Sequence, residues 1–197
     1  MAPLNRLLFR VWYPHEGYLR KVAETPLASN SADPGEAYAV ALKGELEGLV
    51  RSGEVETHER SLAEAGGPGI EFDAVTLMVQ ATVVAAGYAA WRVVATDLRA
   101  LIKKLQKLGD GRVMVDIFGA EVLAVDSLIQ TKDLTDFSIR FCAPLRGADD
   151  EEYGPDRGFL VGLTVDGVET VVVVGPDGSI LGSTTAAQLP GLDKLDL

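Results

Sequence analysis

The chain has 197 residues, of which 47% are hydrophobic, so it falls in the range of one globular domain or of one domain with a small appended layer. Its single cysteine, Cys142, excludes an intramolecular disulfide and a zinc site built from four cysteines. A net charge of -11 repels phosphate backbones, so we expect no nucleic-acid partner. The N-terminus does not have the pattern of a signal peptide, and we expect a cytoplasmic protein.

The charge is distributed unevenly along the chain. Residues 76–112 contain six basic and two acidic residues, a balance of +4. Residues 113–197 contain five basic and 15 acidic residues, a balance of -10. The acidic part favours partners with basic patches, and it also keeps the protein soluble.

The first part of the chain predicts a strand followed by a helix. Residues 4–13 are rich in β-branched and aromatic side chains, which is typical of a strand. Turn-forming residues then fill 25–36, a predicted exposed loop. From 36 to 51 apolar residues recur at helical spacing, and residues 55–64 extend this pattern after Gly53. Together these patterns predict a short helix that follows the first strand along the chain.

Residues 72–108 contain no proline and a single glycine, Gly87, which predicts one long helix. The first half of this segment is apolar almost all round, as in a buried helix. In the second half the apolar residues advance by alternating steps of three and four, the spacing of a helix that packs against another helix. We call this set the seam: Trp91, Val94, Leu98, Leu101, Leu105 and Leu108.

The seam is a candidate interface. The helix has more apolar surface than one face of a small sheet can cover, and we expect the seam to meet a second copy of the chain or another protein. Basic residues also lie along the helix, where they form either a solvated flank or a contact surface for anionic groups. These are Arg92, Arg99, Lys103, Lys104 and Lys107.

The remainder of the chain predicts antiparallel strands. A β-hairpin is expected over 112–125, and a further strand over 137–145. A three-stranded meander should occupy 159–185, with tight turns at Asp166-Gly167 and at 175–178. Because residues 171–174 are consecutive valines, the middle strand should be covered on both faces, one of them by the long helix.

These elements predict an α+β fold: a mostly antiparallel sheet of about five to seven strands packed against one long helix, with a second, shorter helix. We divide the chain into residues 1–70, with the first strand, loop and helix, and residues 71–190, with the long helix and sheet. The two parts are expected to form one compact unit. Residues 191–197 are an expected frayed tail.

No motif predicts a catalytic, cofactor-binding or metal-binding set of residues, and no cofactor is expected. His15 and His58 are the only histidines, and they lack the spacing of a zinc-binding helix. The acidic run 149–152 lacks the glycine-assisted geometry of a calcium loop. Cys142 lies in a predicted strand and is interpreted as a small buried hydrophobe.

Residues 74–91 are a marginal candidate for a membrane span, followed by basic residues, but their alanine, threonine and glutamine content weakens it. The apolar segment FDAVTLMVQATVVAAGYAAWR before RVMVDIF loosely resembles small bacterial adaptor domains that accompany conflict-system effectors. This resemblance covers about a third of the chain and rests on helix hydrophobicity and the order of elements.

The sequence favours a non-enzymatic protein-interaction protein of the adaptor, scaffold or immunity type, which uses a long apolar helix and an acidic surface. Its partner would be another protein or a second copy. Two alternatives stay open: an enzyme or small-ligand-binding protein whose site has no linear motif, and a membrane-associated protein that uses residues 74–108.

Overall fold

A computed structural model describes residues 6–14, 34–60, 72–80, 88–108, 113–131, 136–145 and 157–185. The helices and strands in chain order are β1 (Arg6–Pro14), α1 (Pro34–Glu47), β2 (Gly53–Arg60), β3 (Phe72–Gln80), α2 (Tyr88–Leu108), β4 (Met114–Val115), α3 (Ile117–Thr131), β5 (Phe137–Pro144), β6 (Phe159–Val165), β7 (Val168–Val174) and β8 (Ile180–Thr185). They fall into two compact units, Met1–Asp116 and Ile117–Leu197. The division therefore lies between Asp116 and Ile117, whereas the sequence analysis placed it between residues 70 and 71.

The first unit contains a four-stranded antiparallel sheet in the order β2-β3-β1-β4. The chain passes through it as β-α-β-β-α-β, with β1 and β3 at the centre, which is the ferredoxin-like or split β-α-β topology. Asp116 continues the short β4 pairing, since its backbone N–H donates to the carbonyl of Arg10 and its Oδ2 accepts from the Arg10 amide. Hydrogen bonding to β1 at this edge of the sheet therefore continues one residue beyond β4.

One face of this sheet forms the core of the first unit. Phe9 of β1 and Val55 of β2 both lie opposite Leu77 of β3, and all three side chains are fully buried. Arg10 of β1 and Glu56 of β2, one position further along, both lie opposite Thr76 of β3, and their side chains belong to the other face. β1 and β2 thus alternate in burial with a period of two, whereas residues 75–79 of the central strand β3 are all buried.

Helices α1 and α2 supply the other side of the core. Leu42 and Leu46 of α1, one helical turn apart, are fully buried, and α1 contacts β2 while α2 contacts β1. An ion pair joins the two helices, with Lys104 Nζ 2.9 Å from Glu45 Oε2. The helices are thus neighbours over the same sheet.

The second unit consists of α3 and a four-stranded antiparallel meander in the order β5-β6-β7-β8. Phe159, Val161 and Leu163 of β6 alternate onto one buried face of this sheet. Cys142 of β5 lies opposite Val161 and its Sγ is 3.7 Å from the carbonyl oxygen of Ile117 in α3. Helix α3 therefore covers that face.

The α+β class, the strand before residue 14, the helix from residue 36 and the meander are confirmed. At the β6–β7 turn Asp166 has φ 47° and Gly167 has φ 79°, the positive pair expected of a two-residue hairpin. The turn before β8 places Gly178 at φ 80°. β7 is a central strand, as its valines predicted, and the helix that packs against its sheet within the second unit is α3.

Three sequence-based elements are wrong. Strand β3 and helix α2 replace the single helix predicted over 72–108. The prediction failed because residues 75–79 are all buried and so lack the alternation that indicates a strand. The hairpin over 112–125 is the short β4 and helix α3, whose residues 122–126 are all buried. Of the helical extension predicted over 55–64, residues 55–60 belong to strand β2 and residues 61–64 lie outside the described residues. The antiparallel strands that the structure describes form two sheets, not one.

Candidate functional site

The seam of α2 lies inside the folded chain. Leu98, Leu101 and Leu105 are fully buried, Val94 is nearly so, and Trp91 and Leu108 are partly buried. The seam is therefore not the exposed interface that we expected to meet a second copy of the chain or another protein. The apolar surface of the seam, which suggested contact with a second copy, is buried within the chain itself.

The opposite side of α2 is exposed and basic. Arg92, Lys103 and Lys107 are exposed, and their spacing of 11 and then four residues places them on one side of the helix. Arg99 is partly exposed on the same side, whereas Lys104 lies toward α1 in its ion pair with Glu45. The basic residues singled out in the sequence thus follow the surface of α2, behind its buried seam.

Asp97 ties the loop between α1 and β2 to α2. Its Oδ2 accepts hydrogen bonds from the backbone amides of Arg51, at 2.8 Å, and Ser52, at 2.7 Å. The carboxylate is buried, so these two charge-assisted bonds satisfy a group that would otherwise be costly in the interior. In return, Asp97 holds the backbone at Arg51 in a fixed position beside α2.

A surface cleft of about 360 Å³ lies at this junction. It is lined by Leu49 and Arg51 of the α1–β2 connection and by four residues of α2: Arg92, Val93, Thr96 and Asp97. Leu49 and Val93 are 38% and 40% exposed and line the same cleft. The cleft therefore combines two exposed apolar side chains with two arginines.

The two arginines are available for a ligand. Both are exposed, and within the described residues neither guanidinium forms an ion pair or a hydrogen bond. The other polar groups of the cleft are already engaged, because Thr96 Oγ1 donates to the carbonyl oxygen of Arg92 at 2.6 Å and Asp97 accepts two amides. This arrangement suits the binding of an anionic group and supplies no activated nucleophile.

Sequence reasoning named Arg92 but missed the cleft. One signal was present: Asp97 is the only acidic residue of α2, and it stands next to the seam residue Leu98. An acidic residue at the edge of the buried face of an amphipathic helix indicates a buried hydrogen-bond partner. Leu49 and Arg51 had no signal, because their position depends on the turn after α1.

The other candidates contribute no site in the described part of the chain. Cys142 is partly buried in β5, consistent with a packed side chain. His58 lies in β2, while His15 and the acidic run 149–152 lie outside the described residues. Among the described residues, no group of three or more His, Cys, Asp or Glu side chains is placed to hold a metal ion.

The membrane-span candidate over 74–91 is not one helix, since residues 74–80 belong to strand β3. Of the helices that the structure describes, none combines the length and the apolar character needed to cross a membrane.

Comparison with known proteins finds no matching family model, no matching curated protein and no matching solved structure.

Proposed function

We propose that this chain is a non-enzymatic protein-interaction protein that binds its partner through the exposed side of α2 and the adjoining α1–β2 connection. The observation behind this proposal is the cleft in which exposed Leu49 and Val93 lie beside Arg51 and Arg92. Apolar anchors surrounded by polar groups, with arginine prominent, are typical of the centres of protein interfaces. An adaptor, scaffold or immunity-type role requires a surface of this kind.

The two walls of the cleft are held together before any partner arrives. Asp97 fixes the backbone of Arg51 and Ser52, and the Glu45–Lys104 ion pair links α1 to α2. A preorganised surface loses less conformational entropy on binding, so more of its contact energy contributes to affinity. The cleft is therefore better suited to recognition than a mobile loop of the same composition.

Binding is favoured over catalysis by the state of the polar groups. Thr96 and Asp97 are the cleft residues that could act as nucleophile or base, and both already form hydrogen bonds within the protein. A general base must reach the proton that it abstracts, which Asp97 Oδ2 does not do while it accepts two backbone amides. By contrast, neither arginine guanidinium has a hydrogen-bond or ion-pair partner among the described residues.

Site-specific photo-crosslinking in cells tests this proposal. A photoreactive amino acid at Val93 should yield a discrete crosslinked product with another protein. The same group at Val40, which lies on the exposed side of α1 and is 66% exposed, serves as the matched control and should not. Equal products from both positions, or none from Val93 in folded protein, would remove the exposed side of α2 as the binding surface.

A further inference from the structure

The charge and shape of the cleft indicate what kind of segment it accepts. On the proposed function that α2 binds a protein, we infer that the bound element is an acidic, extended peptide segment of the partner. One apolar side chain of that segment contacts Leu49 and Val93, and carboxylates on either side of it pair with Arg51 and Arg92.

The arginines determine the charge of the ligand. A guanidinium presents donors in a planar fork that matches a carboxylate, and an exposed arginine beside apolar side chains is suited to that pairing. Asp97, the acidic residue of the cleft, is buried, and its Oδ2 already accepts the amides of Arg51 and Ser52. No other acidic residue occurs on α2.

The length of the basic surface indicates an extended segment. From Arg92 to Lys107 the helix advances by 15 residues, about 22 Å at 1.5 Å per residue. An extended peptide rises about 3.3 Å per residue, so about seven residues would cover this distance. Lys103 and Lys107, both exposed, would then meet further acidic residues of the same segment.

Other occupants fit less well. An anionic membrane would need an apolar helix face to insert, whereas the apolar face of α2 is the buried seam. The net charge of -11 repels a second copy and an acidic peptide alike at long range, so the choice rests on the local positive charge of Arg51 and Arg92, and self-association is an outcome of the test.

The test is a fluorescence anisotropy titration with a labelled peptide of sequence Glu-Asp-Leu-Glu-Asp-Glu-Glu. We expect saturable binding that weakens about threefold for Arg51→Gln or Arg92→Gln and about tenfold for the double variant, as for exposed ion pairs. Lys43→Gln is the matched control, since Lys43 is an exposed cation on α1 paired with Glu47, and it should bind like wild type. Replacing the peptide leucine by serine should weaken binding, and higher salt should weaken it further.

Several outcomes would overturn this inference. One is peptide binding that the arginine variants leave unchanged in proteins with wild-type melting temperature, and another is no peptide binding at all. Co-sedimentation with phosphatidylserine vesicles that Arg92→Gln abolishes would assign the surface to lipid, and concentration-dependent self-association lost in Arg92→Gln would assign it to a second copy. If the Val93 crosslink to a protein persists while the peptide fails, the proposed function stands and the acidic segment alone is wrong.

Discussion

Asp97 Oδ2 lies 2.7 Å from the backbone nitrogen of Ser52, 45 positions earlier in the chain, and both residues are only 3% exposed. Because the same oxygen also accepts from Arg51, removal of the carboxylate leaves two backbone donors without a partner. We predict that Asp97→Ala lowers the free energy of unfolding by about 3 kcal/mol and Asp97→Asn by less, measured by urea denaturation.

Thr96→Ala is the control for Asp97, since it changes the adjacent exposed residue, whose hydroxyl bonds only to a carbonyl of its own helix. It should alter the free energy of unfolding by less than about 0.5 kcal/mol. Equal effects at positions 96 and 97 would contradict the role given to Asp97.

The burial of the seam predicts how its leucines respond to truncation. Leu101 is fully buried, so Leu101→Ala should lower the free energy of unfolding by about 3 kcal/mol through lost burial and the cavity left behind. Sedimentation velocity should give the same mass for the variant and the wild type. If Leu101→Ala instead left the free energy of unfolding unchanged and lowered the mass in sedimentation velocity, Leu101 would lie at an interface between molecules.

Two neighbouring valines of β7 form a matched pair. Val172 is fully buried opposite Val161, whereas Val173 lies opposite Leu160 on the other face of the sheet and is partly exposed. Val172→Asp should therefore prevent soluble folding, because an unpaired charge in the core costs several kcal/mol. Val173→Asp should still fold, with a lowered melting temperature. The reverse order in a thermal melt would mean that the faces of β7 are assigned wrongly.

Gly162 allows an aromatic ring to lie on the strand beside it. A Cβ atom at position 162 would overlap the ring of Phe141, its cross-strand partner. We predict that Gly162→Ala destabilises the protein by about 2 kcal/mol through overpacking. The added cost of Gly162→Ala should largely disappear when Phe141 is already alanine, as measured by a double-mutant cycle. Strict additivity of the two changes would contradict this contact.

The elements that sequence reasoning predicted correctly are those with local chemical signals. Asp166-Gly167 requires positive φ angles, and the strands on either side of it alternate in burial, so the meander could be located from its turn. Strand β3 and helix α3 could not be located in this way, because runs of consecutive buried residues show neither the two-residue period of a strand nor the 3.6-residue period of a helix. For such segments the amino-acid pattern does not distinguish a buried strand from a buried helix.

The candidate site was predictable only in part. The seam was correctly identified as the apolar side of a helix, but the sequence did not show that its own sheet, once β3 is counted as a strand, covers it. The cleft depends on where the turn after α1 brings Leu49 and Arg51, and that position follows from the long-range hydrogen bonds of Asp97. Contacts across 45 residues leave no spacing rule in the sequence.

The central claim is that the exposed side of α2 binds a protein partner, and quantitative affinity isolation with two matched variants tests it most directly. Val93 and Val168 are 40% and 50% exposed, and each becomes aspartate in a separate variant. After both variants are shown to melt like wild type, each is used to isolate partners from cells that express the protein. Val93→Asp should lose the partner that wild type retains, and Val168→Asp should keep it. Retention by both variants, or loss from Val168→Asp alone, would contradict the account.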